Sequence, residues 1–208
     1  MKTCLLQNHS AKNEKLYQLT LPNHAAYAGV HRYDLLSFNW DYSNLTTLVW
    51  RGLFLLRRLL LEYDVVCTAG SDVIFTDLQK PLAHFVDPDY GAIMSLEEIG
   101  GSPVNNDLML WQRGEKVIRV LDRMATLWGT VKDHPWEVQQ SLNIMRTEGT
   151  TDVKFLPCRE LQSTPVRSFP KSAWRPGDFA LHFLAMDNED KYKRCEHFLR
   201  TGEVLWRD

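Results

Sequence analysis

The sequence lacks the features that mark nucleic-acid-binding and membrane-spanning proteins. Its 208 residues carry a formal net charge of -2, so no overall positive field would attract a nucleic acid. The longest apolar run, Leu53 to Leu61, is interrupted by Arg57 and Arg58, and the N-terminus has no signal-peptide core. We therefore expect neither a nucleic-acid partner nor a transmembrane segment.

Cysteine is sparse and widely scattered, at Cys4, Cys67, Cys158 and Cys195. No Cys-x-x-Cys pair and no cysteine-histidine spacing is present, which argues against a zinc site. Cys4 and Cys67 lie in apolar runs and are predicted to be buried thiols. This usage is typical of a reducing compartment.

Several well-known catalytic and nucleotide-binding motifs are also missing. The chain has no GxxxxGK[ST] loop and no GxGxxG fingerprint, so a P-loop or a Rossmann dinucleotide site has no support. It has no GxSxG elbow and no HExxH pair, which argues against an α/β-hydrolase and a zinc protease.

The composition that remains is that of a globular α/β protein. Hydrophobic residues make up 44% and charged residues 24% of the chain, and its length favours one domain, with two small ones possible. Strand-like runs alternate with helical periodicity in the first half, which predicts a mostly parallel sheet. Helices are predicted at Asn13–Ala28, Leu45–Glu62 (capped by Asp41 to Asn44), Glu115–Trp128, Asp133–Arg146 and Asn188–Arg200. Strands are predicted at Thr3–Gln7, Tyr33–Phe38, Val65–Cys67, Val73–Phe75, Tyr90–Leu96, Leu108–Trp111, Val153–Leu156 and Phe179–Phe183.

The stretch from Asp64 to Pro81 is the one around which the chain is organised. Asp72 follows the break at Gly70-Ser71 and lies between two apolar runs. A buried carboxylate needs a partner, because burying an isolated charge is costly. The pattern fits a metal and phosphate site at a strand end, where open α/β sheets bind ligands. It fits equally well a polar residue that caps the next segment.

Six segments, taken in order, carry a resemblance to a known family. YDVVCTAGSDVIFTDLQKPL resembles the Asp-x-Asp metal stretch, and WRPGDFALHF the late metal histidine, of the galactosyl/xylosyl transferase family of GT-A glycosyltransferases. NHAAYAGVHRYDLL, VWRGLFLLRRLLLEYDVV, VNNDLMLWQRGE and QQSLNIM resemble four further segments of that family. The resemblance implies an α/β GT-A fold over residues 1–208 as one domain. Residues 1–112 would form the nucleotide-sugar and metal half, and residues 113–208 the acceptor half.

The resemblance also implies an activity and a cofactor. Such enzymes move a sugar from a nucleotide-sugar donor, here UDP- or GDP-linked, to a hydroxyl of a glycan, glycoprotein or glycolipid, in this family with retention. Mn²⁺ or Mg²⁺ neutralises the diphosphate. Matching positions makes Asp72 and His182 metal ligands, although a lone buried histidine would ordinarily be structural.

One departure concerns the metal motif, because Gly70 stands where the family has its first Asp. The lost contact would pass to water, to Ser71 or to the diphosphate. The loss also leaves open a catalytically degenerate module that binds a nucleotide or carbohydrate. A nucleotidyltransferase is a further alternative, but its glycine-rich N-terminal loop is missing.

The remaining matched positions imply donor-binding and catalytic roles. Gln in place of Asp in the Gln139-Gln140 pair removes a nucleophile, so front-face retention or inversion with a separate base remains. The family's Asn-x-Gly has become Asn-Asn-Asp, which we interpret as a different donor sugar. Trp174 and Arg175 would close a loop over the site, or Trp174 would be a packing anchor. The expected contacts are the nucleoside base for Gln7, Asn8 and His9 (or a plain loop); a phosphate for Arg51; donor hydroxyls for Asn105, Asn106 and Asp107; the anomeric carbon for Gln139 and Gln140; and the general base for Glu97, or for Glu98, Asp152 or Asp178.

The family's Golgi members carry an N-terminal membrane anchor, whereas this chain starts almost at its first strand. We therefore expect a bacterial, phage or large-virus enzyme of the cytosol, or a soluble domain of a longer protein.

Overall fold

A computed structural model describes residues 1–40, 45–98, 103–134, 136–184 and 186–208; the side chains of residue 40 and of residues 45–52 are not included. The predicted helix cap at residues 41–44 and the side chain of Arg51 therefore lie outside the described residues. No described helix is long and apolar enough to cross a bilayer.

Eight strands and five α-helices alternate along the described chain. The helices are α1 (Glu14–His31), α2 (Leu45–Glu62), α3 (Glu115–Val131), α4 (Glu137–Thr147) and α5 (Asn188–Thr201). The strands are β1 (Thr3–Ser10), β2 (Asp34–Trp40), β3 (Val65–Gly70), β4 (Val73–Phe75), β5 (Ala92–Leu96), β6 (Val104–Gln112), β7 (Val153–Leu156) and β8 (Ala180–His182).

Six strands form the central sheet in the order β2-β1-β3-β6-β5-β7. The pairs β1-β2, β1-β3 and β5-β7 are parallel, while β6 runs antiparallel to both of its neighbours. Five of the six strands therefore share one direction, which confirms the predicted mostly parallel sheet. The single reversed strand brings the segment at Asn105–Asp107 to the carboxyl end of β3.

The strands β4 and β8 pair separately, as a small antiparallel sheet. Val73 lies opposite His182 in this pair. Residues that are more than 100 positions apart in sequence are thus fixed side by side, next to the end of β3.

Helices cover both faces of the central sheet, as alternating apolar side chains on buried strands require. On one face α2 and α3 pack through Leu56, Leu60 and Val120 against β1, β3 and β6. On the other face Tyr27 of α1 stacks on Phe75 of β4 with ring centroids 4.1 Å apart. The core therefore holds both the end of β3 and the small sheet in place.

Six sequence-based boundaries are wrong by three residues or more. Helix α1 ends at His31 rather than Ala28, α4 begins at Glu137 rather than Asp133, and β3 ends at Gly70 rather than Cys67. Strand β1 continues through Asn8 to Ser10, where a loop was expected. Asn105–Asp107 lie inside β6 rather than before it, and the buried Asn105 amide is satisfied there by Glu97 and by the Asp107 backbone N–H. Helix α3 passes through Gly129 to Val131, and a side chain at Gly129 would meet nothing within 4 Å. The cost of one helical glycine is small against the packing of Leu127 and Val131.

The cysteines follow the prediction for isolated thiols. All four are free, and Cys4, Cys67 and Cys195 are buried. Burial raises the pKa of the Cys4 thiol to about 12, so this thiol is unreactive at neutral pH.

Candidate metal and donor site

The site is built around Asp72, which lies directly between β3 and β4. The apolar strands on either side bury the residue to 8% exposure. Its carboxylate Oδ2 lies 2.5 Å from Lys191 Nζ and 3.5 Å from His182 Nε2. The buried charge is therefore paired, as its desolvation requires.

Asp107 completes a cluster with Asp72 and His182. Its carboxylate Oδ2 lies 3.4 Å from His182 Nε2, and one ligand atom from each of the three residues falls within 4.8 Å of the others. The Asp107 side chain is 39% exposed, whereas the His182 side chain is 4% exposed. The cluster therefore has one open side, and a ligand can reach it from there.

Asp107 also fills the space where the resembled motif has its first carboxylate. A Cβ added to Gly70 would lie 2.8 Å from Asp72 Oδ1 and 3.1 Å from Asp107 Oδ1. The pairing of Ala69 with Leu108 places Asp107 beside Gly70 across the sheet. A second carboxylate is thus present at this point, but it comes from β6 instead of β3. The sequence contains both changes, Asp to glycine at 70 and glycine to Asp at 107, and we interpreted each one alone.

Asn105 orients both neighbours of the open site. Its Nδ2 donates to Glu97 Oε2 at 2.6 Å and lies 2.9 Å from His182 Nδ1, while its Oδ1 accepts from the Asp107 backbone N–H at 2.8 Å. Asn105 is 1% exposed. One buried amide therefore holds the imidazole and the Asp107 backbone in a fixed relation. The contact of Asn105 with donor hydroxyls stays a prediction, and in the structure its amide is engaged in these internal contacts.

The charges of the cluster shift one another's protonation. Burial opposes the charged imidazole, but the carboxylates of Asp107 and Asp72 outweigh it and raise the pKa of His182 to about 9. Burial also opposes the Asp72 carboxylate, yet Lys191 and His182 hold its pKa well below the usual range. Burial raises the pKa of Glu97 and of Asp107. Without another cation, the cluster is held together by Lys191 and a protonated His182.

The residue types suit a divalent cation. Two carboxylates and one imidazole are ligands that Mn²⁺ accepts, while Mg²⁺ prefers oxygen alone. A separation of up to 4.8 Å between ligand atoms is close to the span of a shell with bonds of about 2.1–2.4 Å. The triad fits such an ion after a small contraction.

The predicted nucleoside contacts lie at the end of β1, next to this cluster. Asn8 pairs with Gly70 in the sheet, and Gln7 and Asn8 point to opposite faces because they are successive strand residues. Buried Gln7 Oε1, Asn8 Oδ1 and Ser10 Oγ have no hydrogen-bond partner among the described residues. His9 stacks on Tyr17 with centroids 3.8 Å apart.

Ser71 is linked to the end of β1 through its backbone carbonyl. Its carbonyl accepts from Thr20 Oγ1 at 2.9 Å, and Thr20 Oγ1 in turn accepts from Gln7 Nε2 at 3.0 Å. This chain of hydrogen bonds ties the end of β1 to the residue before Asp72.

The other residues predicted to contact the donor lie on two elements: Asn106 on β6, and Gln139 and Gln140 on α4. Asn106 is half-buried and points to the opposite face of β6 from its two neighbours. Gln139 lies one turn before Asn143, whose Oδ1 accepts from Val104 N at the start of β6. Gln140 lines a separate cleft with Pro103.

Trp174 packs against α5, with its ring 5.7 Å from that of Phe198 in a T-shaped arrangement. Its buried Nε1 has no partner among the described residues. This is the packing-anchor alternative. The neighbouring Arg175 is exposed, and its backbone N–H donates to Asp178.

The four candidate bases differ in their surroundings. Asp152 is held by Arg119, and Asp178 by Arg159, each through two hydrogen bonds. Glu98 accepts from the backbone N–H groups of residues 171 and 172. Glu97 alone of the four adjoins the cluster, through Asn105.

Lys191 is the residue of the cluster that we did not predict. It lies in the first turn of α5, and no motif marks it. Amphipathic periodicity places a residue on a face of a helix, but it does not reveal which buried acid that face meets.

The fold is similar to that of several solved glycosyltransferases. A glycosyltransferase involved in glycosylating the major capsid of PBCV-1 aligns with a TM-score of 0.75 at 14% identity, over 95% of this chain and 100% of that chain. The galactosyltransferase LgtC, solved with donor and acceptor sugar analogues, aligns with a TM-score of 0.60 at 12% identity, over 99% and 97% of the two chains.

A third similar structure is a mutant of Drosophila β-1,4-galactosyltransferase 7 in complex with manganese, UDP-Gal and xylobiose. It aligns with a TM-score of 0.52 at 12% identity, over 89% of this chain and 72% of that one. No protein-family model and no curated protein sequence matches the chain. At these identities the similarity establishes the fold, and this chain has the GT-A fold that the motifs predicted.

Proposed function

We propose that this chain is a metal-dependent glycosyltransferase, which moves a sugar from a UDP- or GDP-linked donor to a hydroxyl of a glycan, glycoprotein or glycolipid. The observation that carries the proposal is the convergence of Asp72, Asp107 and His182 at the carboxyl end of β3. Open α/β sheets bind their ligands at such strand ends. The GT-A fold supports the same reading, because its solved examples include enzymes that hold nucleotide-sugar donors.

Asp72, Asp107 and His182 would hold the cation, and their oxygen and nitrogen atoms favour Mn²⁺ over Mg²⁺. When bound, the ion neutralises the donor diphosphate and stabilises it as a leaving group. Asp72 and Asp107 contribute the negative charge that attracts the ion. Asn105 contacts the His182 imidazole at Nδ1; for Nε2 to ligate the ion, Nδ1 would carry the proton and the Asn105 amide would present its oxygen to that N–H.

The end of β1 would bind the nucleoside. Asn8 and Ser10 share one face of β1 and carry buried oxygens without partners among the described residues, and such oxygens are stabilised by a ligand that donates hydrogen bonds. Gln7 carries a third such oxygen on the opposite face. The pairing of Asn8 with Gly70 puts this edge next to the metal cluster, as a diphosphate joined to a nucleoside requires. Arg51 remains the proposed phosphate contact.

Transfer with retention is the proposed stereochemical outcome. Gln139 and Gln140 are the proposed residues near the anomeric carbon, and neither is a carboxylate nucleophile. A front-face displacement needs none. Glu97 is the proposed base if the reaction instead inverts, because it is the candidate carboxylate nearest to the cluster. NMR of the first product formed would assign the configuration.

Residues 1–208 are proposed to act as one catalytic domain. Asp72 and Asp107 come from residues 1–112, while His182 and Lys191 come from residues 113–208. The proposed acceptor half would therefore also complete the metal site.

The direct test is release of nucleotide from a panel of UDP- and GDP-sugars with Mn²⁺, since many transferases slowly hydrolyse their donors. We expect release from one donor class, which EDTA abolishes and which is lost in Asp72→Ala and His182→Ala. Binding without release would favour the degenerate module. Formation of a nucleotide sugar from a nucleoside triphosphate and a sugar phosphate would instead identify a nucleotidyltransferase.

A further inference from the structure

The Lys191 ammonium lies against Asp72, a carboxylate of the proposed metal site. Its Nζ is 2.5 Å from Asp72 Oδ2, and the same oxygen faces His182 Nε2 at 3.5 Å. The Lys191 side chain is 18% exposed, so the ammonium is mostly withdrawn from water. The contact is therefore a mostly buried ion pair, and it differs from an exposed one in strength and in its cost of desolvation.

The neighbouring cations of α5 behave differently. Lys193 pairs with Glu189, and Arg194 with Asp190, each with the residue four positions before it on the same helix. The Lys193 side chain is 66% exposed. Arg194 also donates to the Leu205 carbonyl beyond the helix, and Lys191 is the one of these three cations that enters the cluster.

A divalent ion and the Lys191 ammonium would compete for Asp72. An ion bound to Asp72 Oδ2 at about 2.1–2.4 Å would lie within about 5 Å of Nζ in its present position. Three positive charges would then share one mostly buried carboxylate oxygen, and the repulsion is only weakly screened there. Either the ammonium moves, or an anion enters between the two cations.

We infer that Lys191 occupies the cation's place in the free protein and couples metal binding to donor binding. The inference rests on the proposed function, because the anion that relieves the conflict is the donor diphosphate. The metal alone must displace Lys191 from Asp72 and binds weakly. The diphosphate accepts the displaced ammonium, so the metal and the nucleotide each strengthen the binding of the other by the same factor.

The test is calorimetric titration of Mn²⁺ alone, of UDP and GDP alone, and of each in the presence of the other. In the unaltered protein we expect the nucleotide that binds to raise Mn²⁺ affinity by about 10-fold or more. In Lys191→Met, Mn²⁺ alone should bind about 10-fold more tightly, and the mutual enhancement should fall to about 3-fold or less. Lys191→Arg keeps the charge and should retain weak binding of Mn²⁺ alone.

Lys193→Met is the matched control, because it removes a lysine from the same helix without touching the cluster. It should leave every affinity within about 2-fold. If Lys191→Met does not fold by circular dichroism, Lys191→Gln supplies the same comparison.

Unchanged or weaker binding of Mn²⁺ alone in Lys191→Met or Lys191→Gln, the variants that remove the charge, would overturn the inference. This outcome is distinct from failure of the proposed function, in which neither UDP nor GDP binds with Mn²⁺ present. The competition between Lys191 and the ion is still measured in that case, by Mn²⁺ alone.

Discussion

The two ends of the small β4-β8 sheet each carry a buried Asp, and the two acids are used differently. Asp178 precedes β8 and accepts from Arg159 at 2.6 and 3.1 Å and from the Arg175 backbone N–H at 2.8 Å. Asp72 precedes β4 at the opposite end. It contacts Lys191 and His182; Asp107 contacts the same ring nitrogen of His182, and Glu97 is linked to the other ring nitrogen through Asn105.

The difference lies in how well the local charges match. At Asp178 one bidentate guanidinium balances one carboxylate, so the ion pair is complete and has no open ligand position. At Asp72 three carboxylates share one ammonium and one titratable imidazole. The first arrangement ties the loop after β7 to β8, and the second leaves negative charge that a divalent cation can balance. Burial alone does not distinguish them, since both acids are less than 10% exposed.

The strongest test of this comparison is to neutralise each acid. Asp72→Asn should weaken Mn²⁺ binding by more than about 100-fold, because a direct ligand is lost. Asp178→Asn should leave the affinity of the folded protein unchanged but lower the free energy of unfolding by about 2–3 kcal/mol, because it leaves the Arg159 charge without its partner. Calorimetry and thermal denaturation measure the two effects. Weakened Mn²⁺ binding in folded Asp178→Asn would remove the distinction.

The next test moves the second carboxylate back to β3. Asp107→Ala should weaken Mn²⁺ binding by about 10- to 100-fold. Gly70→Asp alone, in the protein that keeps Asp107, should not strengthen Mn²⁺ binding. The new Cβ would lie 2.8 Å from Asp72 Oδ1 and 3.1 Å from Asp107 Oδ1. With Asp107→Ala also present, the contact with Asp107 Oδ1 is removed, and a small shift of the Asp72 carboxylate end relieves the remaining contact, so the affinity should recover. Gly70 does not have a left-handed φ, so the backbone accepts the change.

Recovery in the double variant is the informative result, since two independent losses would add. A double variant weaker than either single variant would show that Asp107 does not stand in for a residue at position 70.

Replacing Asn105 should have a smaller effect on Mn²⁺ binding, exerted through His182. Asn105→Ala removes the amide that contacts the imidazole and the Asp107 backbone, and it should weaken Mn²⁺ binding by about 10-fold. Asn106→Ala changes the adjacent residue on the opposite face and should change the affinity by about 2-fold or less. Equal effects of the two variants would contradict the orienting role of Asn105.

The smallest expected effect is a pH dependence of the metal-free protein. The pKa of His182 is raised to about 9 in the folded state, above its unfolded value, by Asp107 and Asp72 against the effect of burial. Its stabilisation is therefore complete below about pH 6.5 and is lost as the pH rises through about 9. Between pH 7 and pH 8 we expect this group to remove about 1 kcal/mol from the free energy of unfolding.

Urea denaturation at each pH measures this slope, and His182→Gln should abolish its share. A slope that is unchanged in His182→Gln would contradict the assigned protonation.

Sequence reasoning identified as candidate site residues those that lie within one continuous motif. Asp72 and His182 follow short apolar segments whose strand character is plain, and all five helices were placed within a few residues of their positions. The place of Asp107 in the cluster was missed because it depends on cross-strand register, which places β6 opposite β3 only in the folded sheet. Considering the departures at Gly70 and Asp107 together would have suggested it.

Other parts of the site have no comparable signal in the sequence. Lys191 is one of several basic residues on α5, and only the packing of that helix decides which of them meets a buried acid. Trp174 offered two readings, and its contact with Phe198 comes from the same packing. The polar residues Asn105–Asp107 were predicted as a loop because strands are recognised in a sequence by their apolar residues. In the structure this polar segment is part of β6 and carries side chains of the site.

The central claim is that Asp72, Asp107 and His182 form a metal-dependent nucleotide site, and calorimetric titration of UDP and GDP with and without Mn²⁺ tests it most directly. The account predicts that one nucleotide binds with Mn²⁺ and that this binding is lost in Asp72→Ala, Asp107→Ala and His182→Ala, but kept in Asp178→Asn. Binding that does not depend on Mn²⁺, or that survives all three substitutions, would contradict it.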